Sequence, residues 1–424
     1  MIDLKILREN PEVISQMLKQ RNLNIPLDRL LSLDTERRSI LTRNQKLKTR
    51  KNKASQKIAN SRKNGDDISP VLEEMRRVSQ EIFEGNEKAK RVEEELYSEF
   101  RNVPNLVHPS VPIGVDSSSN VELFRSVTSD VISGRKDHIS LAENLNLIDL
   151  KRAAKVAGSR FYYLRSELVR LNYALILVAL DFISTKGYTP IQPPYLLNKE
   201  ATSGAVILSD FEDMIYKIEG EDLYLIATSE HPLVAMHLNE IFGRAELPKR
   251  YAGVSPCFRK EAGAHGRDTK GIFRVHQFEK VELFVFSSPE DSWREHEQML
   301  EHVKEFYQIL EIPFRVMLLS SGDMGKVASK TYDIEAWLPG QQEFRELVSC
   351  SNCTDYQSRN LGIKFRNKPH EDSHFVHTLN STLVATERTL VAIMENNQLD
   401  DGSIAVPKAL QKYAGGLETI RQKP

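Results

Sequence analysis

The chain has 424 residues and a formal net charge of −1, from 58 Lys and Arg against 59 Asp and Glu. This length predicts two or three domains with a substantial core. The balanced charge excludes a global basic field for nucleic acid, so any such binding must come from a local patch. No apolar run approaches the ~20 residues that span a bilayer, and the amphipathic, partly acidic N-terminus is unlike a signal or transit peptide.

The three cysteines, Cys257, Cys350 and Cys353, are too few for a disulfide framework and indicate a reducing compartment. We therefore expect a soluble, cytoplasmic protein. Cys350 and Cys353 have the spacing of a zinc-ligand pair, and a histidine could complete such a site. With Cys257 as the one other cysteine the ligand count is poor, and we do not expect zinc.

Two helical stripes follow a short N-terminal helix and predict an antiparallel coiled-coil hairpin. A three-four spacing links Leu30 to Ile58 and then Leu72 to Phe100, and a turn signal at residues 64–67 separates the two stripes. At ~1.5 Å per residue each helix would project roughly 45–50 Å. Because both stripes are polar near the middle, we expect a marginal, flexible arm.

The first predicted helix of this arm carries charge of one sign. Between Arg37 and Lys63 there are eleven Lys and Arg and no Asp or Glu. Solvated charge is the ordinary interpretation, and i,i+4 pairs explain balanced faces, but like charges repel, so something else must offset them. RNA phosphates would do so. No aromatic residue lies along this helix, and we therefore expect recognition of backbone and shape.

A linker rich in proline and serine, residues 104–119, divides the chain. It separates a helical arm, residues 1–103, from a mixed α+β domain, residues 120–424. In the second domain the pattern predicts a helix from Phe161 to Lys186 and then an extended segment punctuated by prolines. Proline in a strand indicates an edge or an interface.

Further along, a β-prone run ends in the polar turn Thr228-Ser229-Glu230, which precedes a helix. Two interpretations of this turn have equal weight on these residues alone. A hydroxyl followed by a carboxylate is common at a helix N-terminus as a cap. The same groups can also bind a ligand.

Residues 250–282 form the segment around which we expect the rest of the chain to be organised. Two β-prone runs flank a long, Gly-rich polar loop. Arg259 and Glu261 are two apart and share a face on a strand, where an arginine fork suits a phosphate and a carboxylate accepts from an amino group. The alternative is a surface hairpin with scattered charge, although a loop of about ten residues exceeds the usual hairpin loop. The returning run adds a cation, an imidazole and a ring on one face: Arg274, His276 and Phe278.

Three segments carry a resemblance. FRKE, the loop and RVHQFEKVE closely resemble motif 2 of the class II aminoacyl-tRNA synthetases, in the form of the seryl-tRNA synthetase family. KGYTPIQPPYL resembles motif 1, with Pro194 as its proline. HTLNSTLVATER resembles motif 3 and ends in Arg388, although Ser381, Leu383 and Glu387 stand where glycines are common. The resemblance covers essentially the whole chain. It implies an α+β fold, with a class II antiparallel β-sheet catalytic domain flanked by helices and an N-terminal antiparallel coiled-coil arm.

The resemblance also implies residue roles. Arg259 and Arg388 would be catalytic, with Arg259 at the α-phosphate, Arg274 near the terminal phosphates and Phe278 stacked on the adenine. Glu346 and Ser349 would hold Mg²⁺ with ATP. For L-serine the implied contacts are Thr228, Ser229, Glu230, Arg259, Glu282 and Thr382. For ATP they are Arg259, Lys260, Glu261, Arg274, Val275, Phe278, Glu346, Leu347, Val348, Ser349 and Arg388.

The implied activity is ATP-dependent formation of seryl-adenylate and transfer to the 3′ end of tRNA(Ser), with tRNA(Sec) open as a second acceptor. The resemblance implies a homodimer that holds tRNA on the arm across the dimer, and residues 262–271 at the tRNA acceptor end. Rivals are a class II-like paralogue that activates an amino acid for a carrier protein, a synthetase for another amino acid, and a non-catalytic RNA-binding protein. The first would lack the arm, and the last would have lost Arg259, Glu282, Glu346 or Arg388.

Overall fold

The computed structural model describes residues 1–64, 67–126, 135–207, 214–261 and 270–422, with backbone alone for residues 61–64. Two compact units divide the chain. The helical unit comprises Asp3–Lys19 and Leu23–Pro104, and the α+β unit comprises Met1–Ile2, Gln20–Asn22 and Asn105–Pro424. None of the helices in the described ranges is long and apolar enough to cross a membrane.

The helical unit is an antiparallel pair of long helices preceded by two short ones, as the stripes predicted. Its helices are α1 Leu4–Glu9, α2 Pro11–Gln20, α3 Leu27–Asn64 and α4 Ser69–Phe100. The predicted turn between the long helices includes Gly65 and Asp66, which lie outside the described residues.

The seam between α3 and α4 follows the predicted spacing on α3 and departs from it on α4. Leu30, Leu33 and Asn44 are buried on α3. On α4, Val78 and Val92 are buried, each one residue before the position that the stripe predicted. The offset arises because a straight helix of 3.6 residues per turn drifts from a strict seven-residue repeat. The buried residues of α4 are Val78, Ala89, Val92, Leu96 and Phe100.

The expectation that charge on α3 must be offset from outside the protein is partly wrong. Glutamates of α4 pair with three of the arginines of the basic stretch, residues 37–63: Arg43 lies 3.0 Å from Glu81, Arg37 pairs with Glu93, and Arg50 pairs with Glu74. Toward the far half of α3 the cations are different. Five lysines there have no ion pair among the described residues: Lys46, Lys48, Lys51, Lys53 and Lys57.

The α+β unit is built on one large sheet with helices beside it. Its strands are β1 Val121–Arg125, β2 Thr189–Ile191, β3 Leu196–Asn198, β4 Leu223–Leu225, β5 Ile241–Gly243, β6 Lys249–Phe258, β7 Gln277–Ser287, β8 Phe314–Leu318, β9 Lys330–Leu338, β10 Glu343–Asn352, β11 Lys364–Arg366, β12 His374–Phe375, β13 His377–Ala385, β14 Ile404–Ala405 and β15 Thr419–Ile420. Its helices are α5 His138–Asn144, α6 Leu150–Ala157, α7 Glu167–Ser184, α8 Lys199–Ala205, α9 Glu230–Ala235, α10 Ser292–Ile309, α11 Tyr356–Leu361, α12 Thr386–Asn396 and α13 Lys408–Gln411.

The large sheet has the order β1-β8-β9-β10-β13-β7-β6-β2. Every neighbouring pair is antiparallel except β2 and β6, which are parallel. The short strand β2 contains Pro190 and closes one edge, as the prolines predicted. The antiparallel sheet flanked by helices confirms the α+β class.

Strand β7 shows how the sheet separates a core from a cavity. Successive side chains of a strand point to opposite faces. Val281, Leu283 and Val285 enter the main apolar core with residues of α7, α10 and α12. The alternate residues Phe278 and Glu282 face the opposite side, where a large cavity lies.

Two predicted elements differ from the structure. The helix expected from Phe161 begins only at Glu167 and ends at Ser184, because Leu164 pairs with Ile148 in an isolated β-bridge and takes the preceding backbone out of the helix. The second run of the central stretch, expected from Ile272 to Phe286, begins only at Gln277, whereas the first run ends at Phe258 as predicted.

Candidate active site

A cavity of about 1280 Å³ lies within the α+β unit. Strands β7, β9, β10 and β13, the segment that follows β6, and the first turns of α9 and α12 contribute to its wall. Most residues with a predicted role line it: Thr228, Glu230, Arg259, Glu261, Arg274, Val275, Phe278, Glu282, Glu346, Leu347, Ser349, Thr382 and Arg388.

Three residues with a predicted role are not part of this wall. The Ser229 side chain is fully buried, and its hydroxyl hydrogen-bonds Ser255 at 2.7 Å. Val348 belongs to the apolar core. Lys260 donates its backbone N–H to the Met214 carbonyl at 2.9 Å. The ligand contacts expected of these three residues stay predictions, and for Ser229 and Val348 they would involve the backbone.

The cations of the central stretch reach the cavity from outside the strands, which corrects the shared-face prediction. Arg259 follows the end of β6, and its guanidinium lies over the Phe278 ring at 5.0 Å. Glu261 adopts a φ of 50°, in the left-handed region that turns the chain, and lies 3.4 Å from Arg274. His276, predicted beside Arg274, hydrogen-bonds the Arg259 carbonyl at 2.9 Å and does not line the cavity.

A β-bulge brings Glu346 and Ser349 to the same wall. Residues three apart on a regular strand face opposite sides. Between Glu346 and Val348 the register of β10 against β9 shifts, so Leu347 is an extra residue in the pairing. The shift turns Ser349 back to the face of Glu346. Sequence alternation alone does not reveal this device.

Arg388 closes one side of the cavity from the first turn of α12. Its Nη1 lies 3.4 Å from the Glu346 carboxylate and donates to the Glu346 carbonyl at 3.0 Å. Burial would raise the pKa of Glu346, but the charges of Arg388 and Arg259 outweigh it and hold that pKa below its ordinary value. The carboxylate is thus ionised between arginines.

At the other end, Glu230 lies in an amide-lined recess. Gln357 donates to its Oε1 at 2.7 Å and Asn380 at 3.3 Å. Burial, and then repulsion from Glu282, raise the pKa of Glu230 to about 7. Thr228 accepts the backbone N–H of Glu230 at 3.1 Å, but the N-cap residue of α9 is Ser229, whose side chain makes no capping hydrogen bond, so the predicted cap is not formed.

Glu282 faces a hydroxyl and a cation. Thr382, directly opposite on β13, donates to Glu282 Oε2 at 3.2 Å. Lys280 lies 2.6 Å from the same oxygen and donates to Thr228 at 2.7 Å. The sequence reasoning missed Lys280, although its position between Phe278 and Glu282 at a spacing of two is the signal that places it on this face.

The residues around Glu346 suit a hard cation. Mg²⁺ takes oxygen ligands, keeps several waters and is held by one or two carboxylates with substrate phosphates. Glu346 and Ser349 offer such oxygens. On the neighbouring strand β9, the Asp333 Oδ1 atom is buried without a hydrogen-bond partner among the described residues. Burial, and then the charge of Glu346, raise the pKa of Asp333 well above its ordinary value.

A protein-only metal cluster is not formed by the described residues: no three His, Cys, Asp or Glu side chains gather with suitable geometry. The three cysteines are buried and free. Most of the loop predicted to meet the tRNA acceptor end, residues 262–269, lies outside the described residues.

Comparisons with known proteins agree with this geometry. Residues 214–397 match the model of the tRNA synthetase class II core domain (G, H, P, S and T), and residues 1–107 match that of the seryl-tRNA synthetase N-terminal domain. The fold and the site define a class II aminoacyl-tRNA synthetase. A serine–tRNA ligase of Nitrosopumilus maritimus is 55% identical over 421 residues, covering 99% of this chain and 100% of the relative. The chain belongs to the seryl-tRNA synthetase family.

Solved structures give the same assignment. A seryl-tRNA synthetase from Pyrococcus horikoshii, complexed with ATP, superposes with a TM-score of 0.94 at 45% identity, covering 100% of both chains. A prolyl-tRNA synthetase from Giardia lamblia superposes with a TM-score of 0.57 at 16% identity, over 66% of this chain and 57% of that one. The second similarity concerns the fold alone.

Proposed function

We propose that this chain activates L-serine with ATP to form seryl-adenylate and transfers the seryl group to the 3′ end of tRNA(Ser). The observation that carries the proposal is the single cavity lined by Arg259, Arg388, Phe278, Glu230 and Glu282. One end offers cations and a ring, which suit a nucleoside triphosphate, and the other offers carboxylates, which suit an ammonium group and a hydroxyl.

In the first step the serine carboxylate attacks the α-phosphorus of ATP and pyrophosphate leaves. Arg259 neutralises charge on the pentavalent phosphorus, and Arg388 and Arg274 bind the remaining phosphates. Phe278 stacks on the adenine and Glu261 accepts from its amino group. In the second step the ribose hydroxyl of the terminal tRNA adenosine attacks the carbonyl carbon of seryl-adenylate, the bond from that carbon to the phosphate oxygen breaks, and AMP leaves as the hydroxyl proton is lost. Positioning supplies most of the rate enhancement, so no protein nucleophile is required.

Glu346 and Ser349 would hold Mg²⁺ bound with ATP, with Asp333 as a neighbouring oxygen group. The ion would supply charge neutralisation of the phosphates. No zinc is needed for this chemistry.

The end of the cavity that carries Glu230 and Glu282, which we call the amino-acid end, explains the choice of serine. Glu230 and Thr228 bind the ammonium group, and Glu282 with Thr382 binds the side-chain hydroxyl. A buried carboxylate that loses its donor goes unpaired, so alanine is rejected strongly. The seryl form is thereby favoured over a class II enzyme for another amino acid.

We further propose that residues 1–103 bind tRNA through the five unpaired lysines of α3, that residues 104–119 are a linker and that residues 120–424 are catalytic. Phosphate contacts of this kind give affinity that falls steeply with salt. Whether tRNA(Sec) is a second acceptor is a question for the same assay.

We also propose a cytoplasmic homodimer. Supporting observations are the exposed edge strand β2 and the exposed apolar side chains of α7, where Tyr173 is 57% and Leu177 is 47% exposed. A dimer would bury this surface. Sedimentation equilibrium of the full chain tests it, and a monomer at micromolar concentration would contradict it.

The deciding experiment is ATP–pyrophosphate exchange with a panel of amino acids, followed by charging of tRNA. Serine alone should support rapid exchange, and tRNA(Ser) should be charged. Exchange without tRNA charging would favour the carrier-loading paralogue, and no exchange with any amino acid would favour the non-catalytic RNA-binding protein.

A further inference from the structure

Lys280 is a buried cation at the centre of the amino-acid end of the cavity. Its side chain is 6% exposed, and it lies on β7 between Phe278 and Glu282. An ammonium group in such a place is costly unless it is paired and hydrogen-bonded. Lys280 meets both conditions through Glu282 Oε2 at 2.6 Å and Thr228 Oγ1 at 2.7 Å.

The contacts of Glu282 are one-sided. Lys280 and Thr382 both approach Oε2, the latter at 3.2 Å. None of the described residues donates a hydrogen bond to Glu282 Oε1, although the side chain lines the cavity. An ionised carboxylate is an acceptor at both oxygens, so Oε1 is ready for a hydroxyl proton.

We propose that Lys280 is a positioning residue for hydroxyl recognition: its ammonium holds and orients the Glu282 carboxylate through Oε2, so that Oε1 accepts the hydrogen bond of the hydroxyl group of the amino-acid substrate. This inference rests on the proposed function, which supplies the substrate. It assigns the lysine a role through Glu282 and Thr228, without contact to the reacting atoms.

The surrounding charges explain why one lysine matters. Glu230 and Glu282 both face this end, and their repulsion contributes, after burial, to the raised pKa of Glu230; Lys280 opposes that rise. Burial, then Lys280 and Arg259, lower the pKa of His231 to about 3, so His231 is neutral. Burial likewise raises the pKa of the neighbouring Cys257 thiol. Without Lys280, Arg259 alone would balance two carboxylates.

The consequence is a change in selectivity. Removal of the ammonium takes away a charge that lowers the pKa of Glu230, so that pKa rises further, and it also removes the contact that orients Glu282. A protonated Glu230 binds the ammonium group less well and a misplaced Glu282 accepts the hydroxyl less well, so serine binds less well and alanine is rejected less well. Raising the pH restores the ionised form of Glu230.

The test uses Lys280→Met, Lys280→Gln and Lys280→Arg in the full chain, with Lys330→Met as the matched control. Lys330 is a second buried lysine, paired with Glu297 at 3.1 Å and outside the cavity wall. KM for serine, KM for ATP, and serine-over-alanine discrimination are measured by pyrophosphate exchange between pH 6 and 9, scanned at intervals of about one unit.

Lys280→Met and Lys280→Gln should raise KM for serine about 100-fold, lower discrimination about tenfold and shift the pH profile upward, with KM for ATP changed less than about twofold. Lys280→Arg should recover most of the effect, and Lys330→Met should match the wild type. Gln keeps hydrogen-bond donors without charge, so it decides the matter should the Met variant fail to fold.

The inference is overturned when folded Lys280→Gln, judged by its thermal unfolding and ATP binding, keeps the wild-type KM for serine, discrimination and pH profile. The proposed function fails in a different way. In that case the wild-type chain itself gives no serine-dependent exchange, so there is no activity with which to compare the lysine variants.

Discussion

Thr382 on β13 lies directly opposite Glu282 on β7, and its hydroxyl donates to Glu282 Oε2 at 3.2 Å. The pair joins motif 3 to motif 2 across neighbouring strands of the sheet. Each side chain also lines the cavity. This relationship makes the amino-acid end sensitive to small changes on either strand.

Glu282→Ala should abolish discrimination between serine and alanine. A hydrogen bond to a charged group contributes about 1.5–3 kcal/mol, so kcat/KM for serine should fall about 10- to 200-fold. Thr382→Val, which removes the donor and keeps the shape, should cost about tenfold or less. The measurement is pyrophosphate exchange with both amino acids; equal losses for the two would contradict the assignment of the hydroxyl to Glu282.

Glu230 should couple activity and stability to pH with opposite signs. Its pKa is raised to about 7 from 4.5, so the folded state binds more protons than the unfolded state between these values. Stability is therefore lost as pH rises through that window, by up to about 3 kcal/mol. Binding of an ammonium group instead requires the ionised form.

Glu230→Gln tests both signs. At pH 8 it should raise the free energy of unfolding by as much as about 3 kcal/mol, and near pH 4.5 it should have little effect. Serine-dependent exchange should fall at least about 30-fold above pH 7, where the wild-type carboxyl is ionised, and by less at lower pH. Urea unfolding at the two pH values gives the first result, and an unchanged difference between them would refute it.

Glu346→Gln should weaken the response to Mg²⁺. The change removes a carboxylate charge from between Arg388 and Arg259 while it keeps the size of the side chain. The Mg²⁺ concentration for half-maximal exchange should rise about tenfold or more. Glu301→Gln, at an exposed position of α10 and paired with Lys304, is the control. An unchanged Mg²⁺ titration would assign Glu346 a purely structural part.

The five unpaired lysines of α3 should affect tRNA affinity and leave amino-acid activation unchanged. Changing Lys46, Lys48, Lys51, Lys53 and Lys57 together to Gln should raise KM for tRNA and lower the slope of log affinity against log salt by about 3–5. Exchange without tRNA should not change. Arg43→Gln should have a weaker effect per charge, because Glu81 already offsets Arg43. A uniform salt slope in all variants would argue against phosphate contacts by α3.

The sequence predicted the site where chemistry follows strand alternation. Phe278 and Glu282 share a face of β7 as predicted, and Lys280 between them follows the same rule. Arg259 and Arg274 reach the same cavity from irregular backbone, which no local period encodes. Ser229 and Val348 were predicted as contacts because each lies within a run of neighbouring site residues, yet burial turns one to Ser255 and the other into the core.

The β-bulge at Leu347 was likewise invisible to sequence reasoning, because an extra apolar residue looks like any other in a buried strand. The pattern in β13 is similar, where the register against β7 shifts between Thr382 and Val384. The glycines missing from motif 3 therefore did not prevent Thr382 from facing the cavity. Tertiary pairing, and not local preference, fixes these positions.

The bulge at Leu347 also constrains which insertions and deletions the chain tolerates. Deleting Leu347 would restore the regular alternation of β10 and reverse the faces of the residues beyond it. Ser349 would then face the apolar core, and Val348 would face the cavity. Point substitutions there are survivable, but a change of length is not. We expect the spacing between Glu346 and Ser349 to resist alteration even where Leu347 is replaced by another residue.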